Sequence, residues 1–324
     1  MSSASPGPEA ADLAKWAGRS RGTPLGHRIF LFLIRRVGLG AAYALLLPVS
    51  FWFTLFARAP GKAWERFYAR IRPRDRTPRW QVRFRAYHTF GKLLIDKAAI
   101  TGGLRDRFTT THLSEGILQR IMDSGTGGLL ISAHIGNWQM ASFMLKRYKG
   151  QVSIVMLDAE VDAIKQVHEQ ASEDRRFEVI PLKPDMSHLF RIRGALAEGR
   201  LVCLHGDRAM PGSRTAVKEF LGAPAAFPLG PFAIAAAFDV PVCFAFVVRT
   251  GPREYTLQAT EPLPVARDPH VHLDRFATAL ERIADEYPFQ WANFYDFWND
   301  DQATAAPRRR RTDLPPSPTA DRAR

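Results

Sequence analysis

Cysteine is scarce in this chain: two in 324 residues, Cys203 and Cys243. They sit in separate apolar runs with no metal-like spacing, which speaks against a disulfide framework and for a reducing compartment. The sequence contains no P-loop and no Rossmann glycine pattern, so no nucleotide cofactor, and no cofactor of any other kind, is expected. It also lacks a G-x-S-x-G elbow, which disfavours a serine hydrolase of that type. His270-Val-His272 has no third ligand nearby, so no metal site is expected and the pair reads as exposed. The first residues, MSSASPGPEAAD, show no basic region leading into a short apolar one, and no signal peptide is expected there.

Acidic residues are scarce in one place. Residues 1–108 carry 20 Lys and Arg against 6 Asp and Glu, whereas residues 109–306 carry 19 against 24. The tail, 307–324, carries 6 against 2. The net charge of +13 therefore belongs to the two ends. A whole-surface nucleic-acid binder would not need that segregation, and no nucleic-acid partner is expected. Basic charge beside an apolar stretch is what a bilayer with anionic headgroups attracts, at about 1 kcal/mol per Lys or Arg near the surface.

Such a stretch is present. Val37 to Ala57 holds no charged residue, and roughly 20 apolar residues suffice to cross a hydrocarbon core. Pro48 would kink it, and Tyr43 and Trp52 are candidates for the headgroup level. Arg28, Arg35 and Arg36 precede it while Arg58, Lys62 and Arg66 follow, so spanning, dipping into one leaflet and lying in the interface all stay open. Residues 1–14 are expected to be disordered, 15–79 to form a basic membrane-anchor region and 302–324 a disordered basic tail. Arg70 to Arg79, RIRPRDRTPR, marks the boundary with a domain over 80–301.

From Thr109 the pattern alternates strand and helix. LLIS leads to a helix over 140–148, then a strand at 152–157 and a helix at 161–174. A strand at 178–182, a helix at 186–198 and a strand at 200–207 follow. Strands at 241–249 and 255–263 and a helix at 270–286 complete the series. This alternation predicts an α/β fold with a mostly parallel central sheet flanked by helices.

The segment that concentrates chemistry is GLLISAHIGNWQMA, Gly128 to Ala141. A buried strand ends there in a polar turn that opens a helix, which is where open α/β sheets place their sites. His134 is the one side chain in it that accepts a proton near neutral pH. Gly136 and Asn137 suit a turn, with Asn137 a candidate N-cap.

ISAHIGNWQMA resembles the HxxxxD/E box of the lysophospholipid acyltransferase superfamily, most closely its bacterial lipid A acyltransferase branch. The segments GDR, FLG and FPLGP (Gly206 to Pro231) and PFQWANFYDFW (Pro288 to Trp298) resemble the same family. The resemblance implies a membrane-associated acyltransferase of lipid biosynthesis, on the cytoplasmic face of a bacterial inner membrane. It would move a fatty acyl chain from an acyl-carrier-protein or coenzyme A thioester to a hydroxyl of a lipid A-like or other lipid acceptor. His134 would be general base. Asn137, Asp207, Arg208 and Gly230 would contact substrate, Arg208 through a phosphate and Gly230 through backbone N–H groups.

One position departs from the family. Gln139 stands where an acid is usual. An amide can orient an imidazole but cannot stabilise the imidazolium formed as the proton moves. One option is that another acid takes its place, with Asp158, Glu160 and Asp207 as candidates because each follows a predicted strand. Alternatively the enzyme is slow, or the chain is a catalytically impaired lipid-binding relative.

Overall fold

The computed structural model describes residues 24–113, 115–145, 151–157, 177–183, 185–209 and 212–298. The expectations for 1–14, the helix at 161–174, Asp158, Glu160 and the tail 302–324 lie outside the described residues.

A seven-stranded sheet organises the chain in the order β1-β9-β8-β2-β5-β3-β4. Its strands are β1 (Thr109–His112), β2 (Gly128–Ser132), β3 (Val152–Leu157), β4 (Glu178–Leu182), β5 (Leu201–His205), β8 (Val242–Gly251) and β9 (Glu254–Ala259). Neighbours run parallel except β8 and β9, which form an antiparallel pair. Side chains alternate across the two faces, as the period of a strand requires. Leu129 and Ile131 of β2 face one core with Phe244, Phe246 and Val248, while Leu130 faces the other with Cys243, Ala245 and Val247. Both faces are covered, which is why these strands read as continuous apolar runs.

The helices are α1 (Pro24–Arg36), α2 (Leu39–Phe56), α3 (Arg58–Ile71), α4 (Arg79–Thr101), α5 (Glu115–Asp123), α6 (Trp138–Met144), α7 (Ser187–Ala197), α8 (Gly230–Ala237) and α9 (Pro269–Glu286). Pro48 lies inside α2 without dividing it. An antiparallel hairpin, β6 (Thr215–Phe220) and β7 (Ala223–Pro228), precedes α8. Its two-residue turn, Leu221–Gly222, has positive φ at both positions, as the twist of a tight hairpin demands.

The basic N-terminal third is built onto the sheet. Trp64, Phe67 and Ile71 of α3 and Ala86 of α4 are buried in the same core as Phe220, Phe227, Phe276 and Trp291. Each such aromatic contributes roughly 1.5–3 kcal/mol by leaving water. Helix α2 is long and apolar enough to cross a membrane. One stripe of it, Leu39, Ala42, Leu46, Ser50 and Thr54, is buried, with the three- and four-residue spacing of a single helix face. Gly91 of α4 lets it approach closely, since a Cβ there would overlap Leu46. Leu47, Phe51, Trp52, Leu55 and Phe56 are left exposed.

Two side chains differ from expectation. Tyr43 points inward, its hydroxyl donating to buried Asp96 instead of lying at a headgroup level. His272 is buried, with Nε2 2.9 Å from the Ala266 carbonyl oxygen. Asp268 caps α9 by accepting from the His270 backbone N–H, and His272 lies on the buried face of that helix with Leu273 and Phe276.

Candidate active site

The site forms where β2 and β5 end. They are parallel neighbours with Ser132 opposite His205, and the Gly206 N–H donates to the Ser132 carbonyl at 2.8 Å. Two residues further along each strand are His134 and Asp207, so the register alone brings them side by side. Asp207 Oδ1 lies 2.8 Å from His134 Nδ1, and Oδ2 accepts the His134 backbone N–H at 3.0 Å. The same Oδ2 accepts Trp291 Nε1–H at 3.0 Å.

Asp207 is fully buried, whereas the His134 side chain is 14% exposed. Burial alone would raise the Asp207 pKa. The charge and hydrogen bond of His134, with Arg208 and His205 beyond, outweigh it and hold the carboxyl far below its ordinary range. A carboxylate only accepts, so Nδ1 carries the ring proton and Nε2 is the unprotonated nitrogen of the neutral imidazole. The ring of His205 lies 4.3 Å from that of His134, centroid to centroid. Burial, then the charge that His134 carries when protonated, pushes His205 down to about 3, which keeps it uncharged at neutral pH.

The turn after His134 is clamped on both sides. Gly136 donates to the Gln290 carbonyl and Asn137 N–H to the Val247 carbonyl, both at 2.9 Å. Gly136 has φ +63°, and a Cβ there would overlap the Val247 carbonyl oxygen. Only glycine tolerates both conditions. Asn137 Oδ1 accepts the Met140 N–H at 3.3 Å and so caps α6, as its residue type allows.

Of the residues expected at the site, His134 and Asp207 come together. Asp207 was expected beside substrate, yet its full burial and three donors direct it wholly to the protein. Asn137, expected there too, is buried at the α6 cap. Arg208 turns inward, donating from Nη2 to the Ala292 carbonyl at 2.5 Å and lying 5.7 Å from the Tyr295 ring centroid. Gly230 opens α8, and a Cβ added there would have no neighbour within 4 Å. Gln139 lies in the first turn of α6. Sequence reading did not assign roles to Trp291, His205 or Gln290. The aromatic density of 288–298 was the available signal for the first. Among the described residues no three His, Cys, Asp or Glu side chains converge to hold a metal.

Residues 104–299 match the model of the bacterial lipid A biosynthesis acyltransferase family. The chain belongs to that family. It is similar to a phosphatidylinositol mannoside acyltransferase of Mycobacterium tuberculosis, with 31% identity over 120 residues, 36% of this chain and 37% of the relative. The phosphatidylinositol mannoside acyltransferase of Mycolicibacterium smegmatis is 27% identical over 182 residues, 55% of this chain and 58% of the relative. The match spans less than two thirds of either relative's length.

Proposed function

We propose that the protein transfers a fatty acyl chain from an acyl-carrier-protein or coenzyme A thioester to a hydroxyl of a membrane glycolipid, of the phosphatidylinositol mannoside or lipid A type. His134 is the general base. The observation that carries this reading is the 2.8 Å contact between His134 Nδ1 and Asp207 Oδ1, which supplies from β5 the acid that Gln139 does not. Nε2 takes the proton of the acceptor hydroxyl as its oxygen attacks the thioester carbonyl. Asp207 stabilises the imidazolium that results. The C–O bond forms, the C–S bond breaks, and the leaving thiolate takes the proton back from the ring. Trp291 and the His134 N–H hold the carboxylate in place, and Arg208 secures the 291–295 segment behind it.

The exposed apolar face of α2, followed directly by basic α3, supports attachment to a bilayer, proposed as the cytoplasmic face of a bacterial inner membrane. The lipid profile of cells with and without the gene tests the reading. A single acylated glycolipid missing from the deletion strain, and restored by wild type but not by His134→Ala, is the expected result. An unchanged profile would reduce the protein to a lipid-holding relative.

A further inference from the structure

A second buried carboxylate lies behind the site. Asp96 of α4 is fully buried. Its Oδ1 accepts the Tyr43 hydroxyl of α2, and its Oδ2 accepts the Tyr255 hydroxyl at 2.5 Å and Arg249 Nε at 3.0 Å. Tyr255 of β9 pairs with Arg249 of β8 across the antiparallel ladder. The Arg249 backbone N–H donates to Gln290 Oε1 at 2.8 Å, and its carbonyl accepts from Gln290 Nε2 at 2.7 Å. The Gln290 carbonyl then accepts the Gly136 N–H at 2.9 Å. An arm through Arg249 and Gln290 therefore leaves this carboxylate and closes on Gly136, in the turn that carries His134. The Tyr43 contact runs to the helix whose outer face, from Leu47 to Phe56, is apolar and exposed.

Simple helix packing does not call for this arrangement. Burying an ion pair costs several kcal/mol per ion in desolvation, and apolar side chains of similar volume commonly hold helices together as well or better. Polar groups continue along the same face of α4. Lys92 and His88 lie one and two turns before Asp96, and Ser50 Oγ of α2 is 3.4 Å from His88 Nδ1. The α2–α4 contact thus carries a polar seam that ends at the catalytic turn.

We propose that Asp96 is a positioning residue that ties helix α2 to the His134 turn, so that seating α2 on a lipid surface sharpens the geometry of the base. The inference rests on the catalytic reading of His134 given above. Its consequence is that acyl transfer is stimulated by a bilayer through hydrogen bonds, beyond any gain from concentrating substrate at the surface.

The test uses the full chain with histidine labelled by 15N, and Tyr255→Phe and Tyr43→Phe as single-oxygen deletions. Asp96→Asn leaves Arg249 uncompensated and is the harsher variant, so the tyrosines carry the experiment. Tyr255→Phe is expected to shift the His134 ring resonances, identified by their loss in His134→Ala. It should also lower kcat about tenfold with KM unchanged, since small misplacements of a base cost rate rather than binding. Tyr43→Phe is expected to reduce several-fold the stimulation of a water-soluble short-chain thioester's turnover by anionic vesicles. If both variants keep wild-type resonances, kcat and vesicle stimulation, Asp96 is a structural clamp and the proposal is overturned. If His134→Ala remains fully active, the catalytic reading falls, while the resonance shifts still report whether the coupling exists.

Discussion

Asp207→Asn is the substitution whose outcome the geometry constrains most tightly. Two donors, the His134 N–H and Trp291 Nε1–H, both address Oδ2 at 3.0 Å. In the variant the amide oxygen must take that place, because an NH₂ group there would face two N–H groups. The NH₂ is then left at the Oδ1 position, 2.8 Å from His134 Nδ1, where it donates to the ring. Nδ1 becomes an acceptor, the ring proton moves to Nε2, and the nitrogen that should take the acceptor hydroxyl's proton no longer has a lone pair. The comparable change in a serine protease lowers kcat by about 10⁴, equivalent to about 5 kcal/mol of barrier. Because the variant still satisfies both Oδ2 donors, its melting temperature should fall by only a few degrees. Single-turnover acyl transfer with a labelled thioester, beside thermal denaturation, measures both. A folded variant within tenfold of the wild-type rate would refute the tautomer argument, and with it the assignment of Asp207.

The remaining predictions follow from other contacts. Gln139→Ala should keep kcat within about tenfold of wild type, in contrast with Asp207→Asn, because Nδ1 is already held by the carboxylate; a parallel assay of both variants checks this. Gly136→Ala places a methyl on the Val247 carbonyl at φ +63° and should destabilise the fold by at least ~1–3 kcal/mol, read as a shifted denaturant midpoint. His205 is held down to about 3 by burial, while its unfolded pKa is about 6.5. The unfolded chain therefore binds the extra proton between those values, and stability should rise with pH across that window. His205→Phe should flatten that part of the melting-temperature profile.

Local pattern was enough for much of the sheet. The apolar runs at 152–157 and 178–182 have the bounds of β3 and β4, and α9 begins one residue from its expected start. Helix α2 was legible from composition, because charge is absent from it. The β6–β7 hairpin was not foreseen. Ala223–Pro228 is short, apolar and proline-containing, and only its pairing with 215–220 makes it a strand. The hydrogen bond between His134 and Asp207 was open to sequence reasoning only as one of three options. Residues 73 apart meet through the β2–β5 register, and register is a property of the assembled sheet. For the same reason the inward turn of Tyr43 could not be read from its sequence, since its partner Asp96 lies two helices away. Trp291 as a donor to the site carboxylate was hidden among five neighbouring aromatics, Phe289, Phe294, Tyr295, Phe297 and Trp298.

The central claim is that His134, steadied by Asp207, withdraws a proton from a lipid alcohol so that it accepts an acyl group. The most direct measurement is one turnover of purified wild type and His134→Ala with a radiolabelled acyl thioester and membrane glycolipid. The account predicts labelled acyl-lipid from wild type and formation slower by about 10²–10⁴ from the variant, the usual contribution of a general base. Equal rates from the two proteins, at equal folded fraction, would contradict it.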